Sequence, residues 1–393
     1  MKGKKKTWHK KRHAFYFQLQ RFLVGIYVRF AYRYRGKKFD DGGRQYLYVF
    51  NHQTPLDQHL LYLSLRRLPY TLASEDLFTM GLVSKIIKHA HAPIPIKKSE
   101  NDFTAVKTCV RIVKEGCSIA LQPEGNRTFT GETVHIKPSV AKLIKLLRLP
   151  VAVFIVRGGY GVIPRYADKP RRGRVTGSVE RVIEYEEYKN LSDEELYNLI
   201  KDALHVDESE TSRTTSPRRA EFMERAVYVC PSCGAAGTIH SEGNRIGCSH
   251  CGISAEVGED MHFDPSFPVR TVKEWTDRQN EWVNALEVDG SGKAIFAERV
   301  RLRVLLRKEG KKQVLAEDAE ARIFADRLEV GDYTFAYPEV TAMTVCGRKR
   351  LDFYLGGKTY QLTAGNTFCA LKYVNIYYNY KNKKENGDGF LGI

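Results

Sequence analysis

A chain of 393 residues is longer than one ordinary hydrophobic core organises, so two or three domains are expected. The hydrophobic fraction of 42% is ordinary for a globular protein, but a formal net charge of +17 calls for a polyanionic partner, either nucleic acid or an anionic lipid surface. Eight cysteines, four of them in two C-x-x-C pairs, exclude a disulfide framework and fit a reducing, intracellular compartment.

Lys2, Lys4, Lys5, Lys6, Lys10, Lys11 and Arg12 crowd the start, and no acidic residue precedes Asp40. The stretch from Ala14 to Arg35 then repeats Phe15, Leu19, Phe22, Leu23, Ile26, Tyr27 and Phe30 at helical spacing, with Gln18, Arg21, Arg29 and Arg33 largely on the other side. The interior arginines argue against a transmembrane span, and no small-residue cleavage site follows that would make it a secretory signal. Residues 1–40 are therefore expected to lie in a membrane interface, aromatics in the headgroup boundary and cations on anionic lipid. The plainer alternative is a helix packed on the protein's own core with a solvated basic tail. The first reading implies a peripheral or monotopic protein on the cytoplasmic face of the cell membrane.

From 41 to 206, apolar strand-like runs alternate with helical patterns. Strands are expected at Gln45 to Phe50, Ala92 to Ile96, Ser118 to Gln122, Val151 to Val156 and Arg172 to Val179. Helices are expected at Asp57 to Arg67, Thr104 to Glu115, Val140 to Leu147 and Ser192 to Leu204. This alternation predicts an α/β domain with a mixed, largely parallel sheet flanked by helices. Between the first strand and helix lies N-H-Q-T-P-L-D, with Thr54 suited to an N-cap, Pro55 to the first helical position and Asp57 to the third. That turn can bring the Asp57 carboxylate back to the His52 imidazole. A histidine so held, with no G-x-S-x-G elbow in the chain, suits a general base acting on a substrate hydroxyl. A second strand end delivers Q-P-E-G-N-R, where glycine permits close backbone approach and Arg127 offers a planar fork for phosphate. A third delivers Lys97 and Lys98. If these strands are parallel, all three motifs share one rim. His59, His89 and His91 have no evident partner and read as structural or exposed.

Together these stretches resemble the glycerolipid acyltransferase family, typified by 1-acyl-sn-glycerol-3-phosphate acyltransferase. Asn51 with His52 to Asp57 matches its H-x4-D motif, Pro123 to Thr128 its P-E-G-T-R-S block, Ile94 to Lys98 its intermediate phosphate-binding block, and Leu149 to Phe154 its hydrophobic segment. The resemblance covers roughly residues 14–205. It implies acyl transfer from a thioester, acyl-CoA or acyl carrier protein, to a lysophospholipid or glycerol phosphate. In that scheme His52 takes the hydroxyl proton, Asp57 orients His52, and Glu124, Gly125, Asn126 and Arg127, with Lys97 or Lys98, bind the acceptor. Two departures bear on the acceptor: Lys97-Lys98 stand where arginine is usual, and Asn126 where threonine is usual.

Residues 207–224 are polar and aperiodic and read as a linker. Residues 225–258 hold Cys230, Cys233, Cys248 and Cys251 as C-x2-C-x14-C-x2-C, a spacing that turns four thiolates toward one Zn²⁺ and resembles a rubredoxin-like zinc ribbon. Closed by four ligands, the zinc would be structural, and His240 and His250 are not expected to join it. Residues 259–290 read as a connecting segment with a short helix, Trp275 to Leu286. Residues 291–393 are β-rich with a last helix striped by Phe368, Leu371, Val374 and Tyr378, faintly resembling a PH/GRAM-like domain. The alternatives are a nucleic-acid-binding zinc-ribbon protein and a non-catalytic membrane scaffold. Nucleic acid is the less favoured partner because the excess charge sits beside the aromatic helix, not around the ribbon.

Overall fold

Four consecutive side chains, Leu47–Phe50, are buried on both faces of a sheet, as a central parallel strand requires. The computed structural model describes residues 7–74, 77–78, 81–96, 103–288, 292–306 and 311–384, which fall into two compact units.

The first unit comprises residues up to Arg127, Ile136–Val162 and Gly173–Val206. Its elements in chain order are α1 (Lys11–Ala31), β1 (Arg35–Gly36), β2 (Leu47–Phe50), α2 (Asp57–Ser64), β3 (Tyr70–Ser74), α3 (Leu82–Ala90), β4 (Ile94–Ile96), α4 (Phe103–Lys114), β5 (Ile119–Leu121), α5 (Ser139–Leu147), β6 (Val151–Arg157), the single turn α6 (Gly159–Val162), β7 (Thr176–Ile183), the single turn α7 (Tyr185–Tyr188) and α8 (Asp193–Leu204). The sheet order is β1-β7-β6-β2-β5-β3-β4, with every pairing parallel except β6 to β7. The mixed, largely parallel sheet flanked by helices is thus present. Its core sets Leu47, Val49, Ile119, Val151 and Val153 against Cys109, Ile112, Ile144, Leu196 and Ile200. β1, β3 and α3 were not expected: β1 has only two residues, and Y-T-L-A-S is too short and polar to stand out as a strand.

The apolar stripe of α1 faces away from this core. Phe22 and Phe30 are 66% and 80% exposed, and Phe15, Leu19, Leu23, Ile26 and Tyr27 are exposed with them. A different face, His13, Phe17 and Val28, is buried. Phe17 meets Tyr62 of α2 edge-on at 5.3 Å, and Gly25 lies against Leu63.

The second unit comprises Thr128–His135, Ile163–Arg172 and the chain from Asp207. It holds a small antiparallel sheet of β8 (Ile239–Glu242), β9 (Arg245–Cys248) and β10 (Ser254–Glu256), then α9 (Val272–Ala285). A seven-stranded antiparallel sheet follows, built from β11 (Phe296–Leu306), β12 (Lys311–Ile323), β13 (Arg327–Val330), β14 (Tyr333–Ala336), β15 (Val340–Cys346), β16 (Arg350–Leu355) and β17 (Lys358–Thr363) in the order β14-β13-β12-β11-β17-β16-β15, and α10 (Ala370–Lys384) ends the described chain. Residues 207–224, expected as a linker, are pinned: Glu208, Ser209, Ser212 and Thr214 are buried, and the Thr214 and Thr215 amides donate to the Glu259 and Arg172 carbonyls at 2.8 Å. Polar sequence here marks hydrogen-bonded chain, not solvated chain. α10 is buried on more than the expected stripe, through Tyr373, Ile376 and Tyr377 as well as Val374, while Leu371 and Tyr378 are only half-buried.

Burial pushes the His13 and His59 imidazoles of the first unit down to about 4, the neighbouring cations of His13 and the His91 ring beside His59 adding to it. Folding therefore favours neutral rings, and the unfolded chain binds more protons between about 6.5 and 4. The stability this contributes is complete above that window and is lost as pH falls through it. The melting temperature of the first unit should drop across this range, and His59→Gln should make its pH dependence shallower; an unchanged slope refutes the assignment.

Candidate active site

The loop after β2 is fixed by its first residue. Asn51 is fully buried, and its side chain completes the β2–β6 pairing: Nδ2 donates to the Val156 carbonyl at 2.9 Å and Oδ1 accepts from the Val156 amide at 2.8 Å. His52 follows, and its Nδ1 lies 2.8 Å from Asp57 Oδ2. The helix starts at Asp57 itself, so Thr54 and Pro55 occupy the turn before it and not its first positions. Thr54 Oγ1 accepts from the Leu56 amide at 3.1 Å, as a capping side chain does, and the same residue also donates to Asp57. Its amide donates to both Asp57 oxygens at 2.9 Å and its hydroxyl donates to Oδ1 at 2.7 Å. Gln122 Nε2 adds a contact to Oδ2 at 3.4 Å.

An ionised carboxylate only accepts, so Nδ1 is the protonated nitrogen of the neutral His52 ring and Nε2 carries its lone pair. The Asp57 side chain is fully buried, whereas the His52 side chain keeps 21% of its surface exposed. An imidazole at the protein surface is thus held by a carboxylate inside it.

The second motif arrives by register. β2 and β5 run parallel with Val49 level with Leu121, so both chains leave the sheet at one edge. Gly125 closes a turn through its amide to the Gln122 carbonyl at 3.1 Å, with a φ of +66° that favours glycine. This returns Glu124 to the first motif, where its Oε1 accepts from the His52 amide at 2.7 Å. Arg127 is buried and Asn126 half-buried two or three residues on. Lys97 and Lys98 lie outside the described residues. Ile96, the end of β4, is two strands beyond β5, roughly 10 Å away at about 4.8 Å per strand.

One support was not foreseen. Gly158 and Gly159 follow β6 directly, and Gly159 opens α6. A β-carbon on Gly158 would sit 1.9 Å from the Arg174 carbonyl oxygen, and one on Gly159 would sit 2.6 Å from Gln53 Cβ and 2.7 Å from Thr54 Cγ2. The backbone of Gly159 is therefore the wall against which the His52–Asp57 loop is packed. A doubled glycine closing a hydrophobic strand was the signal available for it.

In the second unit, the sulfurs of Cys230, Cys233, Cys248 and Cys251 lie within 4.8 Å of one another, with Cys230–Cys251 at 3.7 Å and Cys233–Cys248 at 3.9 Å. A tetrahedral site with bonds of about 2.3 Å spaces its sulfurs by about 3.8 Å, so the four thiols fit a metal ion. Gly234 and Gly252, at φ +72° and +76°, donate to the Cys230 and Cys248 carbonyls at 3.0 Å and form matching knuckles. Thr238 Oγ1 approaches the Cys248 sulfur at 3.2 Å.

Gly159→Ala should destabilise the first unit by about 1–3 kcal/mol in denaturant unfolding and shift the His52 imidazole resonances. An alanine variant that leaves both unchanged contradicts the role of this wall.

Comparison with known proteins bears on the first unit. Residues 31–157 match the family model described as Acyltransferase. Among solved structures, the crystal structure of the 1-acyl-sn-glycerophosphate (LPA) acyltransferase PlsC from Thermotoga maritima is similar at 17% identity and a TM-score of 0.42, over 49% of this chain and 78% of that one. No curated protein sequence matches the chain. The matched segment contains the His52–Asp57 pair and the Gln122–Arg127 turn, and the four cysteines lie outside it.

Proposed function

We propose that this protein is a glycerolipid O-acyltransferase that moves a fatty acyl group from a thioester, acyl-CoA or acyl carrier protein, to the hydroxyl of a lysophospholipid or glycerol phosphate. 1-Acyl-sn-glycerol-3-phosphate, yielding phosphatidic acid, is the acceptor the motifs favour. The observation that carries this reading is the Asp57–His52–Glu124 arrangement at one sheet edge, within a segment that matches an acyltransferase model.

In the proposed reaction His52 Nε2 takes the proton of the acceptor hydroxyl as its oxygen attacks the thioester carbonyl carbon. Asp57 holds Nδ1–H and stabilises the imidazolium. The C–S bond then breaks, the proton passes from His52 to the leaving thiolate, and an ester remains. No covalent enzyme intermediate is needed, because positioning and a base are enough for a thioester. Arg127 is assigned to the acceptor phosphate, for which its fork is suited, with Lys97 and Lys98 as further point charges. Glu124 shapes the Gly125–Asn126 turn while holding the His52 backbone.

The cysteine site is assigned to Zn²⁺ in a structural role, since four thiolates close the coordination sphere. The antiparallel sheet ended by α10 is assigned as a PH/GRAM-like accessory module. No helix among the described residues is long and apolar enough to cross a membrane. The outward stripe of α1 and the basic N-terminus support peripheral attachment to the anionic cytoplasmic face of the cell membrane.

His52→Ala should lower acyl transfer at least about 100-fold in a donor-by-acceptor panel read by mass spectrometry of the lipids, with the fold retained by circular dichroism. Near-normal turnover refutes the mechanism. Freshly purified protein should contain one zinc per chain and lose second-unit stability on chelation; a metal count near zero contradicts the zinc assignment.

A further inference from the structure

The apolar face of α1 does not end with that helix. α3 carries Leu82, Val83 and Ile86, which are 72%, 47% and 57% exposed. Three large aliphatic side chains within five positions are too dense for the scattered exposure of an ordinary surface. The two helices are joined: Tyr16 meets His89 edge-on at 5.7 Å, Arg12 Nε donates to the His89 carbonyl at 3.0 Å, and a groove of about 310 Å³ runs between them, lined by Tyr16, Lys85, Ile86, His89 and Ala90. Lys85 and Lys88 sit among the apolar groups of α3, and neither helix contains an aspartate or glutamate. Apolar side chains bordered by cations, without anions, are complementary to a bilayer that presents anionic headgroups over acyl chains.

Topology directs this face toward the site. α3 connects the parallel neighbours β3 and β4, so it runs back against the strands and its first turn, Leu82 and Val83, lies at the carboxyl edge of the sheet. His52 and Gln122–Arg127 leave the sheet at that edge. α1 runs the length of the unit to the same edge: Tyr70, where β3 begins, receives His13, and the Tyr32 carbonyl accepts from Val175, just before β7 begins beside the end of β6.

We infer that α1 and α3 together form one bilayer-docking face for anionic membrane, in which the start of α3 holds the His52 edge at the lipid surface. An acceptor would then present its headgroup hydroxyl to His52 without leaving the bilayer. This rests on the membrane-surface part of the proposed function and adds α3 as its second contact.

The test is co-sedimentation with phosphatidylcholine vesicles containing phosphatidylglycerol, and with phosphatidylcholine alone, for the full chain, for Leu82→Ser/Val83→Ser/Ile86→Ser in α3, and for Phe22→Ser/Phe30→Ser in α1. The α3 variant should bind anionic vesicles about tenfold or more weakly with unchanged circular dichroism. It should raise KM for a vesicle-embedded acceptor while keeping kcat for a short-chain, monomeric one. Ile86→Trp should show a blue-shifted emission on vesicle addition that brominated lipid quenches. Wild-type binding by the α3 variant, beside a loss in the α1 variant, overturns the role of α3 and leaves the α1 attachment standing. Failure of the unaltered chain to bind any vesicle overturns the attachment itself. Lipid-independent dimerisation abolished by the α3 variant assigns the face to a second copy of the chain and also overturns the inference.

Discussion

A carboxylate sealed from solvent has to find donors or lose its charge, and Asp57 meets that demand with groups from its own loop. The Thr54 amide, the Thr54 hydroxyl and His52 Nδ1 all converge on it within 2.9 Å. The carboxylate thereby folds N-H-Q-T-P-L-D around itself. The histidine is one of the donors that solve a burial problem, so its tautomer and direction follow from local satisfaction of charge. Removing any one donor leaves a buried acceptor short of a partner, which couples the loop's stability to the geometry of the imidazole.

The loop is held from three sides by neighbours distant in sequence. Asn51 ties its start to Val156 on β6, Glu124 takes the His52 amide from the loop that follows β5, and Gly159 presses its bare backbone against Gln53 and Thr54. β2 lies between β5 and β6, so the loop emerges with one tether on each flanking strand. A central parallel strand is the place in a sheet where two such tethers are available, and this is a physical reason for a site built at its carboxyl end.

The second unit shows the same economy around its cysteines. Tyr228 and Val229, beside the first knuckle, give their amides to the Gln279 side chain, and Trp275 Nε1 donates to the Val229 carbonyl at 2.7 Å. Asn375 of α10 donates to the Tyr228 hydroxyl. The knuckle is thus built into the packing of α9 and α10. Buried Arg225 acts similarly, stacked 3.8 Å over Phe222 while its guanidinium serves Asp168 and the Tyr166 and Asn366 carbonyls.

The sequence by itself determined what short-range chemistry determines. Apolar runs marked β2, β4, β5, β6 and β7, the two C-x-x-C knuckles marked the four-cysteine cluster, and the turn residues between His52 and Asp57 marked a carboxylate–imidazole pair, because each depends on spacing within a few residues. It also marked the stripe of α1 and, through the basic flank, favoured an outward-facing one, although periodicity alone gives a helix's faces without saying which one the core takes. Only the tertiary structure decided the rest. Strand order brought Glu124 and Gly159 to His52, packing made 207–224 part of a folded unit, and the βαβ crossover set the exposed side chains of α3 at the edge that carries the site. Those relations join residues tens of positions apart, and no local pattern encodes a distance the chain acquires only by folding back on itself.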